Sequence, residues 1–311
     1  MNIHEKFFSK IGFNYFLFGL SSLVIQIMAI NIVGAINYNL LTDFNILTIL
    51  SSICNYVLPF PIIYYLLREI DTNPIEKHDL NITKILKYFA ITLTLMWVGN
   101  LIGLVITAGI GSLMQSEITN PVQNLISNSD ILLNLLIISI IAPIFEEIFF
   151  RKFLIDRTIK YGAKVSIIIS AVIFGFFHGN LNQFFYALLM GGFFAYVYIK
   201  TGKIIYTIIL HLAVNLMGSV VSVFVTESAE TFISGTYGAF DIMIVLIYML
   251  IIFTAIIIGI ISIYKFYSQD RIKESKPQIS MEKPIKNILI NPGMIIFMLF
   301  FTFQIIIQLA M

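Results

Sequence analysis

Long apolar runs separated by short polar segments dominate this sequence. Most of the runs have about the length, ~20 apolar residues, that a helix needs to cross a membrane. They fall at residues 12–36, 44–67, 85–110, 131–150, 165–179, 183–199, 204–225, 240–264 and 292–310. The pattern predicts an all-α, polytopic transmembrane bundle of eight or nine membrane helices, with short fifth and sixth runs.

The composition agrees with a membrane protein. The chain is 59% hydrophobic and 12% charged, whereas an ordinary soluble domain is about 25% charged. Its single cysteine, Cys54, excludes an internal disulfide.

The basic residues predict an orientation in the membrane. All 19 Lys and Arg fall in alternate segments between the runs, and basic residues collect on the cytoplasmic side. We therefore expect a multi-pass protein of the cell membrane with a cytoplasmic N-terminus, a cytoplasmic loop at 268–291 and a peripheral last helix. The basic residues form no single patch, so the expected partners include the lipid bilayer and no nucleic acid.

Four charged or imidazole side chains interrupt the apolar runs between residues 131 and 225, and one Asn lies a helical turn from the last of them. A charged group in a membrane helix costs about 2.5–3.5 kcal/mol on insertion scales, so such residues usually have a partner or a function. The five are Glu146, Glu147, His178, His211 and Asn215.

The spacing around the paired carboxylates predicts two different environments. Glu147 and Arg151 are four residues apart, so they share a helix face and can pair. Glu146 lies about 100° around the helix from Glu147. One carboxylate can therefore pair with Arg151 while the other faces a cavity, and Pro143 could kink the helix there.

In a simple bundle of spanning helices, Glu146 and His178 would lie at different depths in the membrane. Glu146 lies near the expected inner end of its run, whereas His178 lies about 21 Å of helix beyond Lys164. Either the fifth and sixth runs form a hairpin that stops partway, or they tilt steeply. If they form a hairpin, its polar tip at 178–183 must be buried in protein or must line a water-filled cavity. We then expect a water-filled chamber, open to the cytoplasmic side and lined by Glu146, His178, His211 and Asn215.

Such a set of groups can activate water. A buried Glu can serve as a general base, while His211 and Asn215 can donate to a developing oxyanion. Glu146, His178 and His211 could instead hold a zinc ion, although no His-Glu-x-x-His pattern is present. Purely structural roles, as an ion pair and as hydrogen bonds between helices, also fit each residue taken singly.

Three motifs resemble those of the CPBP (CAAX protease and bacteriocin-processing) family of intramembrane proteases, relatives of the CAAX prenyl endopeptidases. Glu146-Glu147-x-x-x-Arg151 matches its Glu-Glu-x-x-x-Arg motif. The segments 174–178 and 211–215 match its Phe-x-x-x-His and His-x-x-x-Asn motifs. The three occur in the family's order, within residues 128–225.

The resemblance implies a hydrolase, an endopeptidase of glutamate or metallo type. It implies that Glu146 and His178 activate the attacking water, that His211 and Asn215 lie near the oxyanion, and that Glu147 and Arg151 support the site. Whether a zinc ion is bound stays open. In a prokaryote the expected substrates are small exported peptides such as bacteriocin or signal-peptide precursors, or membrane-embedded regulators.

Two further functions stay open. One is a non-catalytic membrane regulator or bacteriocin self-immunity protein on the same fold. The other is a transporter, since paired acids in a membrane also mark ion routes, but no repeated broken helices support it. The expected organisation is N-terminal membrane helices at 1–127, a catalytic core at 128–225 and C-terminal membrane helices at 226–311.

Overall fold

The computed structural model describes residues 1–115, 118–269 and 278–310. Within these ranges there is no strand, and eight helices are long and apolar enough to cross a membrane. The helices are α1 (Ile3–Ile36), α2 (Phe44–Leu67), α3 (Ile82–Met114), α4 (Pro121–Asn128), α5 (Ile131–Tyr161), α6 (Ala163–Phe177), α7 (Leu181–Thr201), α8 (Ile204–Ser234), α9 (Ala239–Gln269), α10 (Pro284–Leu289) and α11 (Pro292–Ala310).

This architecture confirms the predicted all-α, polytopic bundle. All of these helices except α4, α6 and α10 count among the eight. The predicted cytoplasmic loop at 268–291 lies partly outside the described residues, and it includes α10 where it is described. The orientation of the N-terminus stays a prediction.

Helix α5 is longer than the apolar run that predicted it. The run ends at residue 150, but the helix continues to Tyr161. Arg151 and Arg157 do not end it, because both side chains are buried within the bundle. As a consequence, Glu146 lies midway along α5 and not near its end.

The fifth run is confirmed as short, whereas the sixth is not. Helix α6 has 15 residues, or about 22 Å at ~1.5 Å per residue, which is less than the ~30 Å hydrocarbon core of a bilayer. Helix α7 has 21 residues and is long enough to span. Between them, Gly179 makes the turn with a left-handed φ of 62°, and Asn180 caps α7. The turn therefore brings His178 to the level of Glu146.

Helices α3 and α7 approach each other closely at glycines. A Cβ added at Gly99 would lie 2.3 Å from Cα of Tyr186, and one at Gly103 would lie 3.1 Å from the carbonyl oxygen of Asn182. The two glycines are four residues apart, the spacing of small residues that lets membrane helices touch. Further along α3, the Thr107 hydroxyl donates to Oδ1 of Asn182 at 3.2 Å, so α3 fixes the start of α7.

The last helix, α11, is not peripheral, contrary to the expectation. A Cβ at Gly12 of α1 would lie 2.6 Å from the backbone nitrogen of Met294. Phe297 and Phe301 are buried in the same core cluster as Phe8 and Phe150. The prediction failed because the polar loop that precedes α11 carries no information on packing, whereas the aromatic face of α11 does.

The glycine contact between α3 and α7 predicts opposite effects for two substitutions on one helix. Gly99→Ala should lower stability by about 1–3 kcal/mol, because the added methyl group meets backbone. Gly109→Ala should be neutral or stabilising, since nothing lies within 4 Å of its Cβ position and Ala is the better helix former. Thermal unfolding in detergent measures both, and equal midpoints for the two variants would contradict this packing.

Candidate active site

Glu147 and Arg151 form a fully buried ion pair on α5. The Nε atom of Arg151 lies 3.1 Å from Oε2 of Glu147, and both side chains are 0% exposed. The pairing predicted from their spacing is therefore present. The contact does not have the alignment of a hydrogen bond, and the residues that follow Glu147, Ile148–Phe153, form a wide π-helical turn.

Aromatic rings surround the rest of the Arg151 guanidinium. Its central carbon lies 4.4 Å from the ring centre of Phe174 and 5.5 Å from that of Phe194. A cation over an aromatic face is stabilised by the ring's quadrupole, more strongly where water is absent. Within the described residues, neither Nη1 nor Nη2 has a hydrogen-bond acceptor. The cation is thus held by one carboxylate and two rings.

His211 on α8 joins the two carboxylates. Its Nδ1 lies 2.9 Å from Oε1 of Glu147, and its Nε2 lies 3.6 Å from Oε2 of Glu146. Because a carboxylate accepts, Nδ1 carries the proton towards Glu147. The buried pair therefore fixes the orientation of the imidazole and directs its other nitrogen towards Glu146.

Glu146 lies at the edge of a cavity, with its side chain 13% exposed. The Tyr56 hydroxyl donates to Oε1 of Glu146 at 2.7 Å. Tyr56 was not predicted from the sequence, because it comes from α2, far from the three motifs. The available signal was the polar pair Asn55-Tyr56 within an otherwise apolar run.

His178 is held by its own helix. Its Nδ1 lies 2.8 Å from the carbonyl oxygen of Phe174, and since a carbonyl only accepts, Nδ1 carries the proton. Its Nε2 has no protein partner among the residues that the structure describes. The side chain lines the same cavity as Glu146. A lone pair on an imidazole nitrogen is therefore free to accept a hydrogen bond within the cavity.

Asn215 lies one turn beyond His211 and also lines the cavity. Its Nδ2 donates to the carbonyl oxygen of Ile138 at 2.9 Å. That carbonyl belongs to a π-helical stretch of α5, Asn134–Ile141. One N–H of the carboxamide is thus used in positioning, and the amide has a second.

Wide π-helical turns recur around the site. They occupy Ile53–Val57, Asn134–Ile141, Ile148–Phe153 and Met217–Val221. Such turns are rare and are frequent at functional sites. In the stretch 148–153, side chains of other helices donate to the helix carbonyls, as the Tyr15 hydroxyl does to Phe149 at 2.6 Å.

The cavity has a volume of about 590 Å³ and is lined by Glu146, His178, His211 and Asn215, among others. The predicted chamber is therefore present, but its predicted opening towards the Lys- and Arg-rich side is wrong. The cavity extends to the opposite end of the bundle, where Thr48, Gln123 and Gln308 line it. No Lys or Arg of the described ranges does. The expectation failed because it placed Glu146 near the basic end of α5.

The proposed zinc ligands are not assembled in this geometry. No group of three or more His, Cys, Asp or Glu side chains in the described part of the chain could hold a metal ion. Glu146 and His211 are close enough to share a ligand, but His178 does not complete a set with them. The residues present thus do not fit a three-ligand zinc centre.

Comparisons with known proteins agree with the motifs. Residues 128–217 match the family described as Type II CAAX prenyl endopeptidase Rce1-like. Over 108 residues the chain is 34% identical to the "Putative membrane peptidase YdiL" of Bacillus subtilis (strain 168), a match that covers 34% of this chain and 43% of that protein. The chain thus spans less than half of the length of this relative. No solved structure matches the chain significantly.

Together with the membrane helices, these matches place the chain among multi-pass membrane proteins with a segment similar to the CAAX prenyl endopeptidases. They confirm the resemblance to the CPBP family, and they support an intramembrane protease at the level of the family.

The buried ion pair predicts a large loss of stability when only one partner is removed. Arg151→Met should cost about 3–5 kcal/mol, because the Glu147 carboxylate stays buried without its cation. Adding Glu147→Gln should recover most of that loss. Unfolding of purified protein in mixed micelles measures the free energy.

An exposed ion pair provides the control. Lys10 Nζ lies 3.8 Å from Oε2 of Glu69, and both side chains are at least half exposed. Lys10→Met should cost less than about 1 kcal/mol. An Arg151→Met protein as stable as the Lys10→Met protein would contradict the importance of the buried pair.

Proposed function

We propose that this chain is an intramembrane endopeptidase that hydrolyses a peptide bond of a membrane-associated peptide or protein with an activated water. One observation carries the proposal. Glu146 borders a polar cavity beside the free Nε2 of His178, whereas the neighbouring Glu147 is buried and bound to Arg151 and His211. A carboxylate that is open to water next to one that is neutralised matches the needs of general-base catalysis.

Glu146 acts as the general base in this mechanism. A water in the cavity donates one hydrogen bond to the Glu146 carboxylate and another to Nε2 of His178. Glu146 takes a proton as the water oxygen attacks the peptide carbonyl carbon. The same proton then passes to the departing amine as the C–N bond breaks, which leaves a carboxylic acid and an amine as products.

His211 and Asn215 stabilise the negative charge that develops on the carbonyl oxygen. Asn215 keeps one N–H for this purpose while the other binds the Ile138 carbonyl. Glu147 holds His211 through Nδ1, so that in this mechanism its Nε2 is positioned to donate to the oxyanion. Preorganised donors of this kind lower the barrier because they need no rearrangement during the reaction.

Tyr56 positions the base. Its hydroxyl donates to one oxygen of Glu146 at 2.7 Å, so the second oxygen is directed to the cavity and to His211. Glu147 and Arg151 act indirectly: Arg151 pairs with Glu147, and Glu147 orients His211. No step needs a metal, and peptides such as bacteriocin precursors are a candidate substrate class for the site.

Removal of the base should abolish cleavage without unfolding the protein. Glu146→Gln should lower kcat by at least about 100-fold, while the Gln carbonyl still accepts from Tyr56 and preserves stability. The exposed Glu76, whose side chain is 86% exposed, provides the control Glu76→Gln. The measurement is cleavage of a membrane-anchored peptide library by purified protein in vesicles, read by mass spectrometry.

Three results would contradict this mechanism. Equal cleavage by wild type and Glu146→Gln would assign the activity to another protein. Loss of cleavage with a chelator and recovery with zinc would overturn the metal-free mechanism. An intact, vesicle-inserted wild type that cleaves nothing, while Glu146→Gln keeps its cellular phenotype, would favour the non-catalytic regulator or self-immunity function.

The positioning role of Tyr56 predicts a specific kinetic change. Tyr56→Phe should lower kcat by about tenfold and leave KM unchanged, because the hydroxyl contacts the base and not the substrate. Tyr64→Phe, on the same helix with an exposed ring, should change neither. A rise in KM at constant kcat would assign Tyr56 to substrate binding instead.

A further inference from the structure

The cavity beyond Glu146 is polar but almost without charge. Ten of the described residues that line it are Asn or Gln, and Glu146 is the one acidic residue among them. No Lys or Arg of the described ranges contributes. A volume of about 590 Å³ lies within the usual range of ligand pockets, ~300–1,000 Å³. The space suits a short stretch of peptide.

Several of these carboxamides have no hydrogen-bond partner in the protein. Gln26 on α1, Asn55 on α2 and Gln304 on α11 line the cavity and are half-buried. Within the described residues, none of the three side chains has a hydrogen bond to the protein. All three lie outside the segment 128–217 that matches the protease family.

The position of these side chains is costly without a ligand or water. A carboxamide in an apolar helix must find hydrogen bonds, because an unpaired polar group away from water costs free energy. Each carboxamide offers two donors and an acceptor, which are the complements of the C=O and N–H groups of an extended peptide. Such contacts bind a peptide backbone with little regard to its side chains.

The electrostatics of the cavity select against acidic groups in the bound segment, and a basic group there would block the reaction. A carboxylate in the cavity would lie near that of Glu146, with no Lys or Arg of the described residues in the lining to offset it. Arg151 cannot supply a cation, since its side chain is 0% exposed and is held by Glu147 and two aromatic rings. A lysine side chain could pair with Glu146, but that pairing would occupy the general base.

We propose that the cavity binds an uncharged, extended internal segment of the substrate through its backbone, with Gln26, Asn55 and Gln304 as the binding groups. This inference rests on the proposed function, since it assigns the substrate class of the same site. It excludes a free C-terminal carboxylate from the cavity. Helices α1, α2 and α11, which carry these three side chains and lie outside the family segment, then determine which peptides the enzyme accepts.

Four labelled peptides test the charge requirement. The first is a short Ala-Ser-Gly-Val peptide that is acetylated and amidated. The others carry a free C-terminal carboxylate, a central Asp or a central Lys. Fluorescence anisotropy measures Kd for the full chain in nanodiscs, and mass spectrometry follows cleavage in the same samples. The blocked neutral peptide should bind, and each acidic peptide should bind roughly tenfold more weakly. The central-Lys peptide should bind but resist cleavage, because it pairs with Glu146.

Glu146→Gln separates charge repulsion from backbone binding. In that variant the acidic peptides should approach the neutral one to within about twofold, because the repelling carboxylate is gone. Gln26→Met, Asn55→Leu and Gln304→Met preserve shape and should each weaken binding of the neutral peptide by about two- to tenfold. Asn31→Leu is the control, since Asn31 is exposed on α1 and donates to the Ile27 carbonyl at 2.7 Å.

The outcomes distinguish this proposal from the proposed function. Binding of the neutral peptide without cleavage would support the substrate class and contradict the protease. Cleavage of acidic and neutral peptides with equal efficiency would overturn the substrate class and leave the protease. If no probe binds, or if the Asn31→Leu control weakens binding as much as Gln26→Met, the proposed binding groups are wrong.

Discussion

The rest of the site depends on the burial of the Glu147–Arg151 ion pair. Desolvation of two charges costs several kcal/mol per ion, and their mutual attraction offsets it only with further partners in place. The protein supplies those partners from three helices: Phe174 of α6, Phe194 of α7 and His211 of α8. Helix α5 can therefore bury its charges only when these helices surround it, so the pair couples packing of the bundle to assembly of the site.

The same constraint explains why the two adjacent carboxylates differ. Glu147 accepts from His211 and contacts Arg151 in the interior, which leaves Glu146 to face the cavity and Tyr56. His211 lies between them, so the buried pair orients the imidazole whose other nitrogen faces the open carboxylate. The wide turns of α5 and α8 contribute as well, because they alter which side chains face one another.

Much of the fold and part of the site follow from the sequence, for identifiable reasons. Apolar runs reveal spans because a bilayer demands about 20 residues, and costly polar groups such as Glu146 and His211 reveal the site. The end of α5 was not predictable by the same rule, since Arg151 and Arg157 are charged yet buried. Because of that error, Glu146 was expected near the basic end of α5, and the chamber was expected to open at the wrong end of the bundle.

Contacts between helices that are distant in the chain could not be predicted from the sequence, for a different reason. Tyr56 and Gln304 occur singly in apolar runs, where a polar residue is as consistent with a helix–helix hydrogen bond as with a site. Their role depends on α2 and α11 packing beside α5 and α6, which no local pattern encodes. The candidate catalytic residues therefore lie within the family segment, whereas part of the polar, uncharged lining of the chamber comes from helices α1, α2 and α11. Substitutions in those helices would change the lining of the chamber without changing the residues of the three motifs.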